Sequence, residues 1–402
     1  MHEAKAPPGI ARAQDRVFTS QFALLCITNF VLFMTVYSLL VTLPVYSEAL
    51  GAAAGQAGFT TAAVTLTSFL VLPHLGRSVE RLGRTPLMHL GPALLLVEAI
   101  ALHFVTWFPL LVALGVLCGA ALAAFQTGAS TLVADLAPPH RRGRALGIFG
   151  TFTTTSVALS PAIAILVKDL FGFLAVFVMT GILASAALAM SFLVKEPSRR
   201  PDVASPARGP LLSPRALLPG LCIFSITLTY GALLSFLPGQ TPRMGLENAG
   251  LFFTVYAVST LLVRAVAGGI SDRIGRLRVI IPALFVVGGA TMLVGQSTSA
   301  LMVLIAAAIW GFGYGSAHPT IMALAVDRAG MEQRGPAVAT FNAGYNLGVA
   351  VGSMGLGFLM EATSFPIMTA FAGAAPLVAL TVLYLKREPA AVPASLPRSQ
   401  AG

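Results

Sequence analysis

Apolar residues in this chain fall into long unbroken blocks, and short polar clusters mark where each block ends. Crossing the hydrocarbon of a bilayer takes roughly 20 apolar residues in a helix. Twelve blocks meet that length, at residues 20–43, 57–75, 86–107, 109–134, 145–167, 171–194, 216–238, 249–270, 279–297, 301–326, 337–360 and 365–385. Helices of a water-soluble fold would carry a polar stripe, and these blocks have none. Because a helix satisfies its own backbone in lipid, the pattern predicts an all-α membrane protein with twelve transmembrane helices. The block at 20–43 is too long for the apolar core of a signal peptide and is expected to remain as the first span.

Composition agrees, with 56% hydrophobic and 10% charged residues against about 25% charged in ordinary soluble domains. The net charge of +10 would suit a polyanion partner if it clustered on one face with interleaved aromatics. It does not cluster that way. With both termini placed in the cytoplasm, all but Lys168, Arg243 and Arg264 of the 25 Lys and Arg fall on the cytoplasmic side. That is the bias which orients membrane proteins, so no nucleic-acid partner is expected. Cys26, Cys118 and Cys222 all lie inside apolar blocks, and neither a disulfide framework nor a metal site is indicated.

The blocks repeat. Gly76-Arg-Ser-Val-Glu80-Arg81-Leu-Gly83-Arg84 is echoed 192 residues later by Gly268-Gly-Ile-Ser-Asp272-Arg273-Ile-Gly275-Arg276. The same offset relates Asp135 to Asp327, Arg142-Gly143 to Arg334-Gly335, Phe149 to Phe341, and Lys195-Glu-Pro to Arg387-Glu-Pro. A constant offset over so many positions means a duplicated unit of six helices, an arrangement found in secondary transporters. The expected organisation is an N-terminal six-helix bundle at 1–194 and a cytoplasmic linker at 195–215 carrying five prolines, followed by a C-terminal bundle at 216–387 and a disordered tail at 388–402. Gly344, Gly348 and Gly352, and Gly311, Gly313 and Gly315, read as close helix-packing positions rather than a nucleotide loop, since no strand precedes them.

The paired glycine-and-arginine segments resemble the signature of the major facilitator superfamily between helices 2 and 3 and its echo between helices 8 and 9. The resemblance covers residues 20–387. It implies two pseudo-symmetric six-helix bundles rocking about a central cavity lined by helices 1, 4, 7 and 10, with helices 3, 6, 9 and 12 toward lipid. It also implies a gate role for Gly76, Glu80, Arg81, Gly83, Arg84, Gly268, Asp272, Arg273, Gly275 and Arg276. The charged turns after helices 4 and 10, with Asp135, Arg142, Asp327 and Arg334, take the same role. Independently, Gly83 and Gly275 suit a tight turn, and the arginines can anchor topology or pair with acids of the opposing half. Glu80 departs from the acid that Asp272 supplies. Gly115 stands where proton-coupled drug exporters of this family carry an Arg, and only Pro161 survives from their helix-5 pattern, which weakens proton antiport without removing it.

Ionisable groups at membrane depth cost about 2.5–3.5 kcal/mol on insertion scales. Glu98, roughly 18 Å into the third block at the helical rise, is either a proton carrier or a structural carboxyl. Arg264, roughly 9 Å from its helix end, either snorkels or turns inward to hold an anion. Asn29, Tyr37, Gln126, Tyr230 and His318 are further cavity candidates, and His318 can titrate near neutrality and join Glu98 as a candidate for ion coupling. Gln126 and His318 match at the 192 offset, and both are expected to face one shared cavity. No phosphate-binding lysine loop, metal-ligand spacing or nucleophile motif is present, so no cofactor and no enzyme activity are expected. The reading is a secondary active transporter of a small organic solute in the bacterial inner membrane, an ion-coupled exporter, monomeric and using protons as a partner. The alternatives are an importer of the same fold, or a non-transporting membrane sensor, which should carry an extra soluble domain. Reporter fusions at residue 402 and within 195–215 should both read cytoplasmic, and a periplasmic signal at either one refutes the topology.

Overall fold

A computed structural model describes residues 19–138, 141–195, 212–330 and 333–385. The side chains of 54, 73, 76–82, 142–143, 265–268 and 334 lie outside that description, as do residues 196–211 of the expected linker and the whole expected tail at 388–402. Every regular element among the described residues is helical. The N-terminal half holds α1 (Ser20–Ala49), α2 (Ala54–Leu82), α3 (Arg84–Leu102) and α4 (Phe108–Leu136), then one helical stretch over Arg142–Leu193. That stretch breaks at Gly172, whose φ of 82° is open to glycine, so it crosses twice, as α5 (142–171) and α6 (173–193). The C-terminal half holds α7 (Leu217–Gln240), α8 (Gly250–Ile274), α9 (Arg276–Gly295), α10 (Ala300–Ala329), α11 (334–362) and α12 (Phe365–Leu385). Within α11, residues Val351–Gly355 form a π turn.

Several helices outrun the apolar blocks that predicted them. α10 has 30 residues, or about 45 Å at the helical rise, against a hydrocarbon layer of about 30 Å. The surplus carries charged ends past the lipid. The repeated nine-residue segments are therefore not loops. Each is the last turns of one helix, a single glycine, and the first residue of the next helix. Gly83 has φ 86° and Gly275 has φ 98°, in the region where a Cβ is penalised. One residue suffices to reverse the chain there.

The two halves repeat their packing. α1 contacts α5 as α7 contacts α11, α2 contacts α4 as α8 contacts α10, and α3 contacts α4 and α6 as α9 contacts α10 and α12. Lipid offers no hydrophobic drive between apolar helices, so association rests on close backbone approach. A methyl on Gly311 would sit 2.6 Å from the Tyr256 carbonyl of α8, and one on Gly315 would sit 2.8 Å from that of Thr260. Gly344, Gly348 and Gly352 abut the backbone of α7 at Gly220, Phe224 and Leu228, where a methyl would overlap carbonyl oxygens. α1 and α7 are the most enclosed helices, with 78% of their spanning windows buried. Large apolar side chains of α6 and α12, such as Leu174, Ile182, Phe371 and Val378, lie open on the outside.

The halves touch along α1–α7, α2–α11 and α5–α8, and the described contacts concentrate away from the Gly83 and Gly275 turns. Near the face opposite those turns, Gly58 of α2 lies against the Ser353 backbone of the α11 π turn, and Gly55 lies against Gly357 and Glu361. Ser235 of α7 donates to Thr61 of α2 at 3.3 Å, and a methyl on Gly250 of α8 would touch Ile165 of α5 at 3.3 Å. At the other end of α5 and α8, Gly147, Gly150 and Gly269 have no atom within 4 Å of an added methyl. The halves meet at one face and part toward the other. Gly275→Ala should lower the thermal unfolding midpoint, through about 1–3 kcal/mol of backbone strain at its positive φ. Gly269→Ala, in helix and open space, should leave the midpoint unchanged or raise it; equal effects would mean that the turn is not glycine-dependent.

Candidate functional site

The charged turns organise each half internally. Arg84 opens α3 and binds Asp135 at the end of α4, Nε to Oδ2, at 2.9 Å. Its counterpart Arg276 opens α9 and binds Asp327 at the end of α10, Nε to Oδ2, at 3.2 Å. Arg276 also reaches the Asp272 carboxylate one turn back, and its NH1 donates to Ser271 Oγ at 2.7 Å. In this structure Arg84 and Arg276 pair with acids of their own half rather than with the opposing half. The one-residue turn delivers each Arg beside the end of the next antiparallel pair, within its own bundle. Each partner stands at the unfavourable end of its own helix, an Arg at an N-terminus and an Asp at a C-terminus, which costs about 0.3–1 kcal/mol apiece. Exposed pairs return about 0.2–1 kcal/mol. The arrangement therefore adds little net stability and serves to fix the turns relative to α4 and α10. Arg273 is exposed beside this network. The side chains of Gly76, Glu80, Arg81, Arg142, Gly268 and Arg334 lie outside the described residues.

At mid-depth the C-terminal half carries a charged aromatic cluster. Arg264 of α8 does not snorkel. Its NH2 donates to Nδ1 of His318 on α10 at 3.3 Å, a bond that requires Nδ1 unprotonated and leaves the ring hydrogen on Nε2. Along α10, Trp310, Tyr314 and His318 recur every four residues and so share one face. Trp310 and Tyr314 stack at 5.2 Å, Tyr314 lies 5.6 Å from His318, and Trp310 Nε1 donates to Thr291 of α9 at 3.1 Å. Tyr230 of α7 stacks on Trp310 at 5.9 Å and on Tyr314 at 5.8 Å. Tyr256 of α8, two turns before Arg264, sits edge-on to Trp310 at 5.2 Å. α11 closes the group, with Phe341 and Tyr345 edge-on to His318 at 5.2 and 5.9 Å. The N-terminal half enters through a contact of the Tyr37 hydroxyl with the Tyr345 hydroxyl at 3.1 Å. His318, Tyr345 and Arg264 each keep part of their surface open, so the cluster borders space rather than solid core.

Of the residues singled out from sequence, Tyr37, Tyr230, Arg264 and His318 come together here. Asn29 does not. It is buried between α1 and α5, and its Nδ2 donates to Thr153 at 2.7 Å. Gln126 lies two turns past Gly119 on the α4 stripe that faces α2, and no described hydrogen bond joins it to the cluster. His318 stands likewise two turns past Gly311, on the α10 stripe that faces α8. At the 192 offset, Arg264 corresponds to Leu72, Tyr314 to Leu122, Tyr345 to Thr153 and Trp310 to Cys118, so the N-terminal half has no equivalent of the charged aromatic group. Tyr256, Trp310, Tyr314 and Tyr345 escaped the sequence reading. The four-residue spacing of Trp310-Tyr314-His318, matched by Tyr256-Thr260-Arg264, was the available signal.

Glu98 is wholly buried on α3, and the Cys118 thiol of α4 is its polar neighbour. Since Cys118 corresponds to Trp310, Glu98 occupies the α3–α4 interior where the other half places an indole.

A family model described as Major Facilitator Superfamily matches residues 25–247 and again 220–402. The multi-drug resistance efflux pump PmrA of Streptococcus pneumoniae is 24% identical over 301 residues, 70% of this chain and 74% of its own length. The staphylopine export protein of Staphylococcus aureus is 22% identical over 376 residues, 88% of this chain and 93% of its own. Among solved structures, a POT family transporter in complex with 5-aminolevulinic acid superposes with a TM-score of 0.73 at 14% identity, covering 90% of this chain and 95% of that one. The nucleoside transporter NupG superposes at 0.70 and 13% identity, covering 91% and 99%. These structural likenesses speak to the fold alone.

Proposed function

Because the chain belongs to the major facilitator superfamily, and is a multi-pass membrane transporter rather than an enzyme, we propose that it exports a small organic solute across a bacterial inner membrane by alternating access. The observation that carries this reading is the seam between the halves. They are drawn together at one face by backbone contacts at Gly55, Gly58 and Gly250 and parted toward the other. At mid-depth a polar aromatic cluster reaches across through Tyr37 and Tyr345. Transporter sites form at such midplane repeat interfaces. The direction rests on two relatives named for efflux and export.

In this reading the chain is monomeric, both termini lie in the cytoplasm, and the cavity of the described conformation opens to the cytoplasmic face. An ion gradient, with protons as the candidate, supplies the energy. Glu98 and His318 remain the candidate coupling groups, and they differ in kind. His318 stands at the cluster and is bonded to Arg264. Glu98 lies inside one bundle, so a proton there acts on α3–α4 packing rather than competing with solute. The gate role of the charged turns becomes a control on how each bundle presents α4 or α10 to the seam.

Alternating access is tested by locking the joined face. With Cys26, Cys118 and Cys222 replaced by Ala, Thr61→Cys and Ser235→Cys, whose native hydroxyls lie 3.3 Å apart, should form a disulfide under a lipid-permeant oxidant. Uptake into inverted vesicles, and efflux from loaded whole cells, should stop, and a reductant should restore both. Unaltered flux through the fully cross-linked chain would sink the reading, and ion-driven accumulation inside cells would make it an importer instead.

Asp272→Asn removes one carboxylate from Arg276 at nearly constant shape. Transport should fall at least tenfold while membrane insertion and thermal stability stay close to wild type, since exposed pairs are worth about 0.2–1 kcal/mol. Glu80→Gln should cost less. Full activity in both variants would remove the gate role.

A further inference from the structure

We propose that the solute is an organic anion, with a carboxylate or comparable oxyanion held by Arg264 and a flat apolar body packed against the tyrosine and tryptophan rings of the C-terminal half. The proposal rests on the transport reading and adds the chemical class of what is carried. Its starting point is charge. Arg264 is a cation at membrane depth, where it costs about 2.5–3.5 kcal/mol and where charged groups normally pair with an opposite charge. Among the described residues no carboxylate pairs with it, and its described polar contact is the neutral acceptor Nδ1 of His318. The fully buried carboxyl, Glu98, belongs to the other half.

The guanidinium is also held by one end only. NH2 is committed to His318, while Nε is enclosed and has no partner. A guanidinium presents its donors in a planar fork that matches the two oxygens of a carboxylate. With the His318 bond on Nη2 fixing the plane, Nε–H is left as the unpartnered donor. Tyr230 contributes an enclosed hydroxyl without a partner, in the ring stack next to Tyr256 at 6.2 Å. Phenol hydroxyls can donate to an oxyanion, and their rings supply the flat apolar surface that a stacked body requires. A cationic solute is disfavoured by the same layout, because it would meet Arg264 with no described acid to offset it.

The offset comparison argues against a structural explanation. The equivalent position is Leu72, and the N-terminal half packs the corresponding helices α2 and α4 together with no charge at that position. Closing α8 against α10 therefore does not need an arginine.

The test is direct binding by the full chain in nanodiscs, read as quenching of Trp310 in a Trp107→Phe background. The probes are matched pairs that differ only in charge: benzoate and benzamide, indole-3-acetate and indole-3-acetamide, with benzyltrimethylammonium as the cation. At least one carboxylate should bind about ten- to a hundredfold tighter than its amide. Arg264→Gln should abolish that preference and Arg264→Lys should keep part of it, with size-exclusion profiles confirming that both variants fold. A carboxylate preference that survives Arg264→Gln, tighter binding of the cation, or no carboxylate exceeding its amide would each overturn the proposal. The disulfide lock at Thr61 and Ser235 needs no ligand identity. A chain that alternates access yet fails these binding tests loses the anion assignment and keeps the transport reading.

Discussion

Everything in this molecule depends on how closely two helix backbones can approach inside a lipid solvent. Apolar side chains gain nothing by leaving lipid for protein, so association must come from surface fit and backbone proximity. Gly311 and Gly315 give α10 its seat on α8, and Gly115 and Gly119 give α4 its seat on α2. Gly344, Gly348 and Gly352 do the same for α11 on α7. Where the halves meet, Gly55, Gly58 and Gly357 repeat the device between bundles. Contacts of this type are close and flat, and contacts between halves can be remade without dragging large side chains through one another. The same chemistry that builds each bundle thus suits a seam that opens and closes.

Charge is used differently at the two levels of the membrane. At the turn face, Arg84 with Asp135 and Arg276 with Asp272 and Asp327 hold each bundle together internally. These pairs are partly exposed and weakly stabilising, so their value lies in geometry. A one-residue glycine turn has no length to spare, and anchoring the residue after it to the next helix fixes where that helix begins. At mid-depth Arg264 is enclosed by aromatic rings and bonded to an imidazole, where the effective dielectric is low and its field is felt strongly.

Much of the architecture was legible because lipid restricts the choices. Block length and a constant offset were enough to read twelve spans and two related halves. Helix ends were not legible: polar residues such as Asp135 and Asp327 lie in the last turns of long helices, and a hydropathy reading cuts the helix before them. The joining of α5 and α6 through Gly172 was hidden for the opposite reason, since the polar pair Lys168 and Asp169 beside it reads as a loop. Partner choice at the turns also escaped, because an arginine next to a glycine turn looks the same whether its acid is across the seam or on the adjacent helix. At the cluster, His318 and Arg264 stood out as ionisable groups in apolar blocks. Tyr256, Tyr314 and Trp310 did not, because aromatic residues are ordinary filling in any apolar helix until their four-residue spacing is set beside a charge.

The one-sided cluster changes how the duplication should be pictured. Two copies of a bundle began with the same positions, and the pair has since divided its labour. One arm carries small and aliphatic residues at Leu72, Cys118, Leu122 and Thr153, while the other carries a cation and its aromatic walls. Under the proposed reading, a solute gripped by one arm would ride with it while the other arm slides past. Grip and sliding friction are then set by different residues. Selection, or an engineer, can retune what is carried in α8, α10 and α11 while leaving the speed of the moving surface to α1, α2 and α5.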